Sequence, residues 1–356
     1  MAQQHDNRVG TPRQDKAMSA TTSFADFQAA ISLLNHLYFN PIIGALVRHD
    51  VADHLDPGPL SAADLAHRSG MNVLALTRAL RALGAFGAFD EVSPGVFANN
   101  SVSKLFRHQP GGLCNFALYN TSEHYVRSAT ALGHSVVTGQ SAFEHAFGES
   151  FWDYTRRHPE ENDTFNHALA ELRGEEHQQI ADAYDWTGAN TVVDVGGGIG
   201  SLLAAIMASR PKIHGVLVEQ PELLPGAGRL LRDRGVRDRC ELLAGNFFNT
   251  IAATGEVWTL SQVLHDWSDA KCLEILRRCR EAMRPEDRLL VIEMLTVPGQ
   301  PNARVGLIDL TMLMYFGEAR QRTVEEYTKL FDSTQFQFRR VLPTAGAFSI
   351  VEASPL

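Results

Sequence analysis

The sequence predicts an α/β protein: a doubly wound, mostly parallel sheet in the C-terminal half, behind a mainly helical, winged-helix-like N-terminal region. Three observations predict it. From Asn190 onward, short β-rich runs that are apolar without alternation (TVVDV, HGVLVE, CELLAG, EVWTLSQVL, RLLVIEML) are separated by helical stretches, as strands covered on both faces of a parallel sheet require. Residues 61–99 read helix, turn, helix, hairpin. Finally, Val192-Val193-Asp194-Val195-Gly196-Gly197-Gly198-Ile199-Gly200 runs a strand straight into a glycine-rich turn that opens a helix.

Taken in order, residues 1–22 are polar and mixed in charge with no apolar h-region, so neither a signal peptide nor a membrane anchor is expected there, only a disordered tail. Phe27, Ile31, Leu34, Leu37 and Tyr38 recur at helical spacing between Phe24 and His49, with Pro41 and Gly44 expected to interrupt the helix. Ser61-Ala-Ala-Asp64 is a capping-box-like start for a short helix to His67. A turn at Gly70 and a helix on Val73, Leu76, Leu80 and Leu83 follow, then two short alternating segments around Ser93-Pro94-Gly95. These assign 23–115 to a winged-helix-like domain. The span 116–186 is helical and rich in aromatics, and reads as linking helices; 187–356 is the sheet domain. Its helices are expected over 201–209, 222–234 and 268–283, the last with Cys272, Leu276, Cys279 and Met283 on one stripe and Glu274, Arg277, Arg278 and Glu281 facing away.

Composition narrows the function. The 356 residues are 44% hydrophobic and 21% charged, a globular balance. With 41 acidic against 32 basic residues the net charge is −9, which lacks the footprint of a dedicated nucleic-acid binder. Residues 1–115 hold nine basic and nine acidic side chains, and the helix that would read DNA offers only Arg78 and Arg81. No run approaches the roughly 20 apolar residues of a spanning helix. The four cysteines form no C-x-x-C pair and no zinc pattern, as expected of reduced thiols in a cytoplasmic protein without metal.

The glycine turn carries the most specific signal. Glycines let a ligand approach the main chain, and helix N-terminal N–H groups favour anions. A dinucleotide G-x-G-x-x-G fails because Ser201 stands at its third position, and no P-loop Gly-Lys-Ser/Thr follows. What remains is G-x-G-x-G at Gly196, Gly198 and Gly200, with Glu219 ending the next strand as an acceptor for a ribose diol. A plain strand-to-helix connection is the competing explanation of the glycines alone. Ribose recognition without a pyrophosphate loop points to S-adenosylmethionine (SAM). Gly245-Asn246-Phe247-Phe248 and Ser261-Gln262-Val263-Leu264-His265-Asp266-Trp267-Ser268-Asp269 follow the next two strands.

In this order and spacing, the D-x-G-G-G-x-G turn, the strand-end acid, the G-N-F-F segment and the L-H-D-W-S-D box resemble the metal-independent small-molecule O-methyltransferases, the caffeic-acid-type family with bacterial secondary-metabolite branches. The resemblance covers nearly the whole chain and implies a Rossmann-like class I methyltransferase sheet with an N-terminal dimerisation domain. It implies SAM held by Asp194, Gly196, Gly198, Gly200, Glu219, Asn246, Phe247, Ser261 and Trp267, His265 as general base, and Glu293 orienting its imidazole. Many relatives carry a glutamate before Arg-Thr where this chain has Gln321, a neutral amide that hydrogen-bonds but adds no charge; Glu318 is a conceivable substitute. Glu219, Asn246 and Ser261 also depart from the commoner aspartates and lysine; Glu219 keeps the ribose acceptor and Asn246 can still bond adenine, so SAM remains the expected cofactor.

Methyl transfer from a sulfonium needs alignment and acceptor deprotonation. A phenol near pKa 10 is mostly protonated at neutral pH, and a histidine near 6.5 is the natural base. Phe147, Trp152, Phe165 and Asn166 from the linking helices, with Met312, Tyr315 and Phe316, are candidate walls for a small, planar, aromatic acceptor. Two rivals share the fold: a SAM-binding relative with hydroxylation, decarboxylation or pericyclic chemistry, and a SAM-responsive winged-helix regulator. Retention of His265 and Glu293 opposes the first, and the charge balance opposes the second. A homodimer through Phe27, Ile31, Leu34 and Leu37 is the expected use of the N-terminal helices.

Overall fold

A computed structural model describes residues 23–173 and 175–356, so the tail expected over 1–22 lies outside the described residues. Three short strands, β1 (Leu60–Ser61), β2 (Asp90–Ser93) and β3 (Val96–Ala98), form a small antiparallel sheet in the order β1-β3-β2. It flanks helices Ala62–Ser69 and Val73–Ala85, the expected helix, turn, helix and hairpin. Ser61 caps the first helix by accepting the Asp64 N–H, and Gly70 ends it at φ 67°. Leu65, Leu76, Leu80, Leu83 and Phe97 form the core of this unit.

The break in the first helical segment falls elsewhere than expected. Helices Phe24–Asn35 and Phe39–Arg48 are separated at residues 36–38, while Pro41 and Gly44 both lie inside the second. Pro41 is in the first turn, where its missing N–H has no intrahelical partner to lose. Gly44 is buried and faces Thr121, whose Cγ2 lies 2.5 Å from where a β-carbon would stand, so it marks a close helix contact.

The C-terminal half is built on a seven-stranded sheet: β4 (Thr191–Val195), β5 (His214–Glu219), β6 (Cys240–Ala244), β7 (Val257–Ser261), β8 (Arg288–Glu293), β9 (Phe336–Pro343) and β10 (Ser349–Pro355). Their order is β6-β5-β4-β7-β8-β10-β9, parallel from β6 to β8, with β10 antiparallel to both β8 and β9. The β9–β10 hairpin is an addition to the expected strands. Val193 and Val195 pack into one layer with Trp258, Cys272 and Phe331, and Val192 into the other with Leu203, Met207 and Ile292. The sheet is therefore covered on both faces, as the unalternating runs require. The helices are Ser201–Ser209, Leu224–Asp233 and Asp269–Ala282, with Cys272 and Cys279 fully buried in the core. All four cysteines are free and buried, and burial pushes the Cys114, Cys272 and Cys279 thiols up to about 12.

Strand order reverses at β4, which pairs with β5 on one side and β7 on the other. The carboxyl ends of these three strands therefore open a crevice, the usual ligand site of an open parallel sheet. Every sheet segment singled out in the sequence ends there.

Candidate active site

The glycine turn leaves β4 at Asp194-Val195 and enters the Ser201–Ser209 helix. Gly196, Gly198 and Gly200 have φ of 69°, 58° and 78°, a region that favours glycine. A β-carbon at Gly196 would meet Val263 at 3.0 Å and the Phe247 ring at 3.1 Å, so these side chains lie against the turn. Gly197 is needed for space: a β-carbon there would sit 2.2 Å from Asp194 Oδ2. That oxygen is sealed from solvent and has no hydrogen-bond partner, while Oδ1 accepts the Thr259 hydroxyl at 2.7 Å. Burial pushes the Asp194 carboxyl up to about 6, against the opposing pull of Thr259 and Arg173.

Glu219 ends β5 beside the turn. Its Oε2 accepts the Gly198 N–H at 2.9 Å and its Oε1 the Gln220 N–H at 2.7 Å, which ties the strand-end acid to the turn. Burial still holds its carboxyl above the usual range. Asn246 is exposed and accepts the Phe248 N–H at 2.9 Å, turning the chain so that Phe247 and Phe248 meet Trp267. Ring centroids are 5.9 Å apart for Phe247–Trp267 and 4.8 Å for Phe248–Trp267, both edge-on. Ser261 ends β7 at the same rim, partly buried. The donor set suits SAM: glycine N–H groups and a ribose acceptor, an aromatic patch for a purine, and an orphaned buried carboxylate oxygen at the turn.

His265 follows β7 in a short 3₁₀ turn and is 7% exposed. The structure brings the three residues of the expected catalytic group together. Glu293, at the end of β8 and fully buried, places Oε2 3.2 Å from His265 Nδ1 and accepts the His265 backbone N–H through Oε1 at 3.3 Å. Gln321 Nε2 is 2.8 Å from the same Nδ1. Asp266, which the sequence reading left without a role, puts Oδ1 3.2 Å from His265 Nε2. Burial by itself would lower the pKa of the imidazole, but Glu293 and Asp266 outweigh it and push His265 up to about 10. The ordinary value near 6.5 assumed from sequence therefore does not describe His265 in this setting.

Glu318 does not substitute for the missing glutamate: it is exposed and lines a surface cleft with Ser268, Asp269, Ala270 and Arg320. Two side chains to which the sequence reading gave no role, Asp309 and the arginine of the Arg-Thr segment, hold the loop of His265 and Gln321 instead. Asp309 accepts the Gln321 N–H at 2.6 Å. Arg322, fully buried, donates to the carbonyls of Leu264 and Trp267, each at 2.7 Å, and to Asp269 Oδ1 at 2.8 Å.

Asp309 belongs to helix Ala303–Phe316, whose C-terminal turns enter an aromatic cluster with Phe147, Trp152 and Phe165. Trp152 and Phe316 stack at 5.4 Å, and both are only partly buried, as are Phe147 and Phe165. Tyr315 is core, its hydroxyl accepting from Tyr119 at 2.6 Å, so it backs this wall. Met312 is buried, and Asn166 donates to the Asn162 carbonyl at 2.9 Å.

A family model described as an O-methyltransferase domain matches residues 130–337, more than half of the chain. The chain belongs to this O-methyltransferase family. Phenazine O-methyltransferase PhzM of Lysobacter antibioticus is 39% identical over 307 residues, covering 86% of this chain and 89% of that one. The mitomycin biosynthesis 6-O-methyltransferase of Streptomyces lavendulae is 38% identical over 313 residues, covering 87% and 89%. Among solved structures, NcsB1, an O-methyltransferase from neocarzinostatin biosynthesis in complex with SAM and 2-hydroxy-5-methyl naphthoic acid, aligns with a TM-score of 0.78 at 30% identity, over 91% of this chain and 98% of that one. The enzyme is a SAM-dependent O-methyltransferase with the class I methyltransferase sheet.

Proposed function

We propose that this methyltransferase acts on a hydroxyl of a small planar aromatic metabolite of phenolic, polyketide or phenazine type, with His265 as general base. The observation that carries the base assignment is the seat of His265: a buried imidazole at the carboxyl end of β7, with the Glu293 carboxylate 3.2 Å from Nδ1, placed at the cofactor rim. SAM, when bound, supplies a methyl group already activated on a sulfonium. The chain's own tasks are alignment and proton removal. Gly196, Gly198, Gly200 and Glu219 hold the nucleoside end, and Phe147, Trp152, Phe165 and Phe316 enclose the acceptor. Asn166, Met312 and Tyr315 support that wall.

Nε2 of His265 takes the acceptor's proton while Glu293 balances the resulting charge on the Nδ1 side. For this the imidazole must first lose the proton that its two carboxylates favour. We assign pairing to 23–115, acceptor enclosure to 116–186 and cofactor binding to 187–356, in a cytoplasmic homodimer.

The test is formation of S-adenosylhomocysteine on incubation with SAM and a panel of hydroxylated phenazines, naphthoates and benzoates. His265→Ala lowers turnover by about 10²- to 10⁴-fold and leaves SAM affinity within about twofold. Unchanged turnover in that variant would remove the assigned base.

A further inference from the structure

Helix Pro159–Arg173 opens beside the aromatic wall with an acid held by two neutral donors. The Glu161 carboxylate accepts the His124 Nδ1–H at 2.5 Å through Oε2 and the Tyr154 hydroxyl at 3.1 Å through Oε1. Burial lowers the pKa of His124, which is 2% exposed, against the opposing pull of Glu161, so at neutral pH the ring donates without a charge of its own. Burial and Glu161 push the Tyr154 hydroxyl up to about 12, so it too stays neutral. The two partners therefore orient the carboxylate and leave its charge uncancelled. Among the described residues no lysine or arginine pairs with Glu161. Arg127, a cation over the Phe147 ring at 4.5 Å, is engaged instead by the Ala146 carbonyl and by Glu123. An acid in the first turn suits the helix dipole, but Glu160 beside it serves that end while fully on the surface side.

The place of that charge gives it a use. Glu161 and Phe165 are four residues apart and so stand side by side on one face of the helix. The Tyr154 ring lies 5.2 Å from Phe147, and the field of Glu161 reaches Tyr315 behind the wall. With 35% of its side chain exposed, Glu161 is open where its two donors are buried. A carboxylate thus borders the aromatic surface assigned to the acceptor. A negative charge on an otherwise apolar wall favours a ligand that brings an N–H or O–H to that edge, and it opposes a ligand that brings a second carboxylate. We propose that Glu161 sets acceptor specificity, receiving an amino or second hydroxyl group of the acceptor and turning away acceptors that carry a carboxylate. The assignment rests on the acceptor wall proposed above and divides its substrate class by charge.

The experiment compares 5-amino-1-naphthol, 1-naphthol and 5-hydroxy-1-naphthoate, acceptors that differ at one carbon, with the full-length wild type, Glu161→Gln, His124→Leu and His124→Asn. Binding is read by calorimetry on protein saturated with S-adenosylhomocysteine, and turnover as kcat/KM with SAM. The wild type favours the amine and discriminates against the naphthoate by at least ~30-fold (about 2 kcal/mol). Glu161→Gln keeps an acceptor oxygen without the charge, and it narrows that ratio at least ~10-fold, chiefly by admitting the naphthoate. His124→Leu weakens the preference for the amine over 1-naphthol, because the carboxylate is no longer held on one side. His124→Asn, which can still donate to Glu161, restores it. S-adenosylhomocysteine affinity stays within about twofold of wild type in all three variants, as a folded cofactor site requires. An equal loss for all three acceptors in Glu161→Gln would mean a structural role and overturn the proposal. So would an unchanged ratio in that variant, or a wild type that prefers the naphthoate. A wild type that binds none of the three acceptors would instead remove the acceptor wall itself, and this site with it.

Discussion

At the scale of single residues, the environment of His265 sets both its chemistry and a pH signature. Its folded-state pKa, pushed up to about 10, lies above the unfolded value near 6.5. The folded chain therefore binds the proton more tightly than the unfolded one. The stability this contributes is fully present below pH 6.5 and is lost as pH rises toward about 10. In the unliganded protein, denaturant melts across this window should show stability falling with pH, and the slope should be smaller in His265→Gln, which cannot take up the proton. Parallel slopes for the two proteins would mean that the carboxylates do not hold His265 charged. His265, Glu293 and Gln321 were legible in the sequence because each sits in a local string at a strand end or before Arg-Thr. Asp266 lay in the same string, yet only the fold turns its carboxylate onto Nε2.

At the scale of elements, what the sequence made legible follows from which side chains face the core. Strands β4, β5, β7 and β8 are buried on both sides, so their apolar runs stand out. Strand β9 is an edge strand carrying Arg339 and Arg340 with a mixed burial pattern, and such charge is how an edge is protected while hiding the strand from a hydrophobicity reading. The loop between β7 and the Asp269–Ala282 helix is also held from afar. Arg322 ties the Leu264 and Trp267 carbonyls, one on each side of His265, to the segment that ends in Gln321. Arg322→Met takes the charged donor from both carbonyls and leaves them only the weaker Cys272 thiol and, for Leu264, the Trp267 N–H, at about 1–3 kcal/mol for each charge-assisted bond lost. We therefore expect a loss of about 2–6 kcal/mol in unfolding free energy. Turnover should fall even at temperatures where the variant stays folded, because the His265 loop is no longer pinned. A loss below about 0.5 kcal/mol with full turnover would show that the loop holds its shape without the arginine.

At the scale of the whole molecule, the first helix is the feature that one chain does not explain. Helix Phe24–Asn35 has no buried residue, and Leu33, Leu34 and Leu37 are more than two-thirds exposed. A helix of twelve residues is marginal alone in water and draws its stability from covering an apolar face. Among the described residues no single helix is long and apolar enough to cross a membrane, although this helix and Phe39–Arg48, bent at 47°, have the length and composition together. The winged-helix unit offers DNA little, since Arg81 is held bidentately by Glu91 of the hairpin at 2.7 and 2.8 Å. A second copy would cover the exposed stripe most economically, because a two-fold axis would set the same apolar face against itself. Leu34→Glu combined with Leu37→Glu then places charges in that interface while touching nothing buried in the single chain. Sedimentation equilibrium should give a dimer for the parent chain and a monomer for the double variant, with the melting of the C-terminal half retained. If the parent chain sediments as a monomer, the exposed stripe has another partner, and binding to lipid vesicles becomes the measurement that decides.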